Sequence, residues 1–150
     1  MIENGFQLYT IGFTEKSAET FFRLLSSNGV QKLIDTRVNN ASQLSGFAKG
    51  KDLAYFTRAI CNIPYEHRLD MAPTRQLLAD YRSDQLTWEE YSEKYVSLLI
   101  ERDLKSAITQ EQLSRACLLC SEHLPDKCHR SLLADYIRRE YPGLLVTHLL

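Results

Sequence analysis

Residues Leu118–Arg130 read LLCSEHLPDKCHR, and the change of character within this stretch decides the fold class. Its first residues belong to the run Ala116–Cys120, which is short, apolar and bounded by polar residues. That is the pattern of a strand buried on both faces of a parallel sheet. From Cys128 onward, Leu132, Leu133, Tyr136 and Ile137 recur at helical spacing, with Asp126 placed as the N-cap and Pro125 just outside it. A strand therefore feeds a helix through a loop rich in cysteine, histidine, glutamate and arginine. Cys128, His129 and Arg130 fall in the expected first helical turn, where free N–H groups and the positive end of the macrodipole favour a thiolate or a bound anion.

The same alternation extends in both directions. Gln7–Ile11 is a strand closed by Gly12, and Ser17–Ser27 is a helix carrying Phe21, Phe22, Leu24 and Leu25 and ending at Asn28-Gly29. Val30–Thr36 is a second strand, followed by a polar loop over 37–50. Helical spacing over Asp52–Ile60 precedes a third strand, Ile63–Arg68. Thr74 caps a helix through Tyr81, and Thr87-Trp88-Glu89-Glu90 has the capping-box spacing that opens a longer helix to Arg102. A further helix covers part of Leu104–Leu113, and Leu144–His148 is the last strand.

Strands alternating with helices imply right-handed crossovers and a mostly parallel sheet. The expectation is one α/β domain over residues 1–150, three-layered and Rossmann-like, with helices flanking the sheet. Its length suits one domain with a real core. Ligands of open α/β sheets bind at the carboxyl edge. Gly12, then Asp35 and Arg37, then His67 and Arg68, then Cys120 through Arg130 all fall on that edge, while the strand order is not readable.

With 18 basic and 19 acidic residues the net charge is -1, so there is no global attraction to nucleic acid. No run of apolar residues is long enough to span a bilayer and no export signal is recognisable, so a soluble cytoplasmic protein with reduced thiols at its four cysteines is expected. Gly12 stands alone after the first strand, without a G-x-G-x-x-G or Walker A pattern, and the sequence requires no cofactor.

At the edge, Cys120 and Cys128 are the candidate thiols, Cys120 the more buried and Cys128 the more reactive. Glu122 and Asp35 are the candidate acid or base, and Arg37 and Arg130 the anion anchors, with His129, His67 and Gly12 completing the substrate side. A phosphate-bearing or nucleotide-like ligand suits this set. Against it stands a structural ion pair between Asp35 and Arg130. Cys120, His123 and Cys128, with His129 beside them, offer zinc or iron ligands as an alternative, although the adjacent Cys128 and His129 diverge on a helix. Cys117 and Cys120 form C-x-x-C, but three residues apart on a strand they face opposite ways, which leaves Cys117 to the core.

A third alternative is a binding module for a nucleotide or for single-stranded nucleic acid, built on Arg37, Lys49, Lys51, Arg58 and Arg68 with Phe47, Tyr55 and Tyr65 interleaved. An ordinary solvated face accounts better for that scatter. Trp88 and Tyr91 read as core, Cys61 as core or loop, and His148 as an exposed residue near a fraying end.

The pieces YTIGF (9–13), LIDTR (33–37), IPYEH (63–67), DMAPT (70–74), WEEY (88–91) and Cys120-x-Glu122 followed by Cys128-His129-Arg130 together resemble the domain of unknown function 488 family. The resemblance spans nearly the whole chain and implies an α/β fold with a cysteine-bearing site. The chain departs from the family pattern at Phe13, where many relatives carry histidine, and at Asp70-Met71.

Overall fold

The computed structural model describes residues 6–41, 46–122 and 125–150. Five parallel strands form one sheet: β1 (Phe6–Gly12), β2 (Lys32–Asp35), β3 (Tyr65–His67), β4 (Ala116–Cys120) and β5 (Leu144–Leu149), in the order β3-β2-β4-β1-β5. Every pairing is parallel, as the crossover helices require. The order differs from the 3-2-1-4-5 run of dinucleotide-binding sheets; here β4 inserts between β1 and β2. The three layers are those expected from the sequence.

The helices are α1 (Ala18–Ser27), α2 (Gly50–Phe56), α3 (Arg75–Arg82), α4 (Trp88–Glu101), α5 (Gln110–Leu113) and α6 (His129–Glu140). Local chemistry fixes several ends. Ser17 and Thr74 accept hydrogen bonds from Thr20 N and Leu77 N, and the capping box at Thr87–Glu90 has both of its reciprocal bonds. Thr109 and Gln112 form a second capping box that opens the short α5. The expected Leu104–Leu113 helix is split into a single turn at Leu104–Ala107 and α5.

Alternation along the strands sends residues to two cores. On one face, Leu8, Ile34, Ala116 and Leu118 pack under Tyr91, Tyr95 and Leu99 of α4 and Leu133 and Ile137 of α6. On the other, Tyr9, Ile11, Leu33, Cys117 and Leu119 pack against Phe21, Phe22 and Leu25 of α1 and Leu53 of α2. Both cores seat on β4, whose five residues are all buried. Among the described residues no helix is long and apolar enough to cross a membrane.

Candidate functional site at the carboxyl edge

Strand order brings the two polar loops together. β2 and β4 are neighbours, with Asp35 paired to Leu119, and Gly12 of β1 lies opposite Cys120. The chain leaving β2 and the chain leaving β4 therefore emerge side by side. Gly12 has to be glycine: a Cβ there would collide with the Glu122 carbonyl and the Arg130 guanidinium.

On the β2 side, Asp35 and Arg37 are buried and paired through both carboxylate oxygens. Arg37 Nε donates to Oδ1 at 2.8 Å and Nη2 to Oδ2 at 2.7 Å, while the Arg37 backbone N–H adds a bond of 3.1 Å to Oδ1. Nη2 also donates to the Ala48 carbonyl, and the guanidinium lies 5.2 Å from the centre of the Phe13 ring. Phe13, one of the departures from the family pattern, thus packs against a site residue. The Tyr65 hydroxyl donates to Asp35 Oδ2 at 2.5 Å, and burial together with that carboxylate pushes its ionisation up. His67 donates from Nε2 to the Arg37 carbonyl at 2.7 Å, which makes it a tie for the loop rather than a free ligand group.

On the β4 side, Arg130 is fully buried. Its Nε donates to Thr10 Oγ1 at 3.1 Å and its Nη1 to Cys120 Sγ at 3.1 Å and to the Glu122 carbonyl. Desolvation lowers its pKa to about 10, which still leaves it charged near neutrality. The ion pair expected as the structural alternative is not formed, because Asp35 is taken by Arg37. His148, expected to fray, sits in β5 with Nδ1 2.6 Å from Thr10 Oγ1, and burial lowers its pKa.

Helix α6 is capped two residues later than expected, by Cys128 rather than Asp126, because the turn closes through Cys128 N to the Pro125 carbonyl. The sulfurs of Cys120 and Cys128 are brought together, with their Cα atoms 7.6 Å apart, while Cys61 and Cys117 stand alone. Both members of the pair are almost fully buried, Cys120 at 1% exposure and Cys128 at 3%. Cys117 lies in the opposite core, where burial raises its pKa, as its strand parity requires.

His129 is buried against Tyr95, and its Nε2–H lies between the Thr36 carbonyl (2.9 Å) and hydroxyl (3.0 Å). Desolvation, more than any neighbouring charge, lowers its pKa to about 4, so the ring is neutral at ordinary pH.

A cavity of about 240 Å³ opens between these loops and helices α3 and α4. Cys120, Glu122, Cys128, His129 and Arg37 line it; Asp35, Arg130, His67 and Gly12 support its walls from behind. Arg130, expected as an anion anchor, does not itself line the cavity. Arg82 and Lys127 complete the basic lining, and Tyr81 and Tyr91, whose rings stand 4.7 Å apart, add an aromatic wall. These four were not singled out as site residues from sequence. Leu78, Tyr81 and Arg82 do share one helix face by their spacing, but only the tertiary packing turns that face toward the site.

Among the described residues no three His, Cys, Asp or Glu side chains are grouped to hold a metal, and His123 of the alternative ligand set lies outside the described residues. Of the basic and aromatic set offered for nucleic acid, Lys49, Lys51 and Tyr65 border one surface cavity. Tyr65 is turned onto Asp35 and Phe47 packs on Phe21 and Phe22, leaving Tyr55 exposed.

No curated protein and no solved structure gives a significant match to the chain. The family model described as domain of unknown function DUF488 matches residues 17–137, from the cap of α1 into α6, and the chain belongs to that family.

Proposed function

We propose that the chain is an enzyme that takes a phosphate-bearing or nucleotide-like substrate into the carboxyl-edge cavity. The observation that carries this reading is the charge of the lining: Arg82 and Lys127 face one carboxylate, Glu122, and Arg37, its charge already answered by Asp35, adds hydrogen-bond donors. Such a concave basic lining concentrates anions. The buried Arg37 Nη1 has no hydrogen-bond partner among the described residues, and an unpaired buried donor costs on the order of 1–3 kcal/mol. An anionic oxygen drawn against that wall would offset the cost. Tyr81 and Tyr91 suit the planar part of a nucleotide-like ligand.

Roles within the set follow from burial. Glu122 is exposed at the cavity rim and suits the general base, whereas the Asp35 carboxylate, wholly engaged by Arg37 and Tyr65, suits a positioning group. The Cys120 and Cys128 sulfurs, as thiolates, suit the nucleophile.

The test is calorimetric titration of the reduced protein with pyrophosphate, adenosine and adenosine monophosphate at low and high salt. The reading expects the two anions to bind, the nucleotide better than adenosine, with affinity falling as salt rises. Arg82→Ala with Lys127→Ala should weaken binding about tenfold or more at an unchanged melting temperature. Equal affinity in that variant, or no heat with either anion, would overturn it.

A further inference from the structure

The Cys120–Cys128 pair is inaccessible to another protein's thiols, since both residues are almost fully buried, yet both line the cavity. Whatever exchanges with it must be small enough for about 240 Å³. The two sulfurs are also unequal. Cys120 Sγ receives a hydrogen bond from the buried Arg130 guanidinium at 3.1 Å, whereas Cys128 caps α6 with no hydrogen bond from its side chain to the helix. Negative charge placed on Cys120 is met at once by a cation in low dielectric. Thiol–disulfide exchange runs fastest through the better-stabilised leaving thiolate.

We infer that Cys120–Cys128 is a reversible redox couple that exchanges with small anionic thiols through the basic cavity, with Cys120 as the leaving sulfur. In the reductive direction, an incoming thiolate forms a bond to Cys128 Sγ. The Cys120–Cys128 bond breaks, and its electron pair stays on Cys120 Sγ beside Arg130. A second thiolate then attacks the incoming sulfur of that mixed disulfide, releasing the co-substrate as its own disulfide and Cys128 as a thiolate that takes a proton from water. Two thiols are oxidised and one protein disulfide is reduced. The reverse run uses the small disulfide as oxidant. Arg82 and Lys127 are the groups that favour an acidic co-substrate. The leaving-group assignment rests on Cys120 and Arg130 and stands whichever substrate anion the cavity takes; only the preference for acidic thiols shares its cations with the proposed function.

The experiment begins with the full chain equilibrated in glutathione disulfide, then unfolded and alkylated before and after reduction. The couple predicts two labels, on Cys61 and Cys117, rising to four after reduction; four labels from the outset would overturn it. Limiting 2-mercaptoethanesulfonate should leave its mixed disulfide on Cys128, and a peptide map showing it on Cys120 would overturn the leaving-group assignment. At low salt, reduction by 2-mercaptoethanesulfonate should outpace reduction by cysteamine, compared at equal thiolate concentration, by about tenfold or more. That advantage should collapse in Arg82→Ala with Lys127→Ala. Equal rates in the wild type would overturn the preference for acidic thiols while leaving the anion titrations above to decide the proposed function separately.

Discussion

Arg37, just past β2, and Arg130, in the first turn of α6, reach the same sheet edge, both buried, yet they are held in opposite ways. Arg37 is clasped by a carboxylate through both oxygens, so its charge is answered within two residues of chain. Arg130 is met by a hydroxyl, a sulfur and a carbonyl. A buried guanidinium clasped by a carboxylate through both oxygens braces a loop; one that donates to a sulfur favours negative charge forming on that sulfur. The β2 half of the site is thus built for rigidity and the β4 half for a sulfur that changes charge.

The sharpest way to break that contrast is Asp35→Asn. It strands the Arg37 guanidinium and should cost about 3–5 kcal/mol by urea unfolding, whereas Asp35→Leu with Arg37→Leu should recover most of the loss. A small effect of the single change would mean that the pair does not brace the loop.

His129 tests the wall that joins the halves. Below pH 6.5 the unfolded chain takes up a proton that the folded ring refuses until about pH 4, so stability falls as pH drops through that window, by up to about 3 kcal/mol. His129→Gln should keep the bond to Thr36 and flatten the dependence of the urea midpoint between pH 4 and 7; an unchanged slope would assign it to other groups.

Gly12→Ala pushes a methyl into the Glu122 carbonyl and should cost about 1–3 kcal/mol while loosening the Cys120 loop, seen as faster exchange of the amides after β4. The smallest effect is expected of Tyr65→Phe, which removes one donor from Asp35 and leaves the bidentate Arg37 pair: about 1–2 kcal/mol in the same unfolding assay.

Much of the fold was legible from local chemistry. Thr74 and Thr87 announced their helices because a capping hydroxyl meets an orphan N–H within three residues, and β4 was readable because burial on both faces leaves an apolar run. Asp126 misled because a good capping side chain stood two residues before the turn that closes on Cys128. Arg130 misled because an arginine at a helix start reads as an anion anchor, and nothing local says that its side chain turns under the strand instead.

The sequence by itself determined the alternation of strands and helices, the family, and the edge on which Cys120, Glu122, Cys128, Asp35 and Arg37 gather. Each depends on contacts a few residues long or on a pattern that repeats along the chain. Tertiary structure alone set the insertion of β4 between β1 and β2, the hydrogen-bond partners of Arg37 and Arg130, the meeting of Cys120 with Cys128, and the arrival of Tyr81 and Arg82 at the cavity. Those are pairings between segments far apart in the chain, chosen by which arrangement buries both faces of the sheet and leaves the fewest charges unanswered.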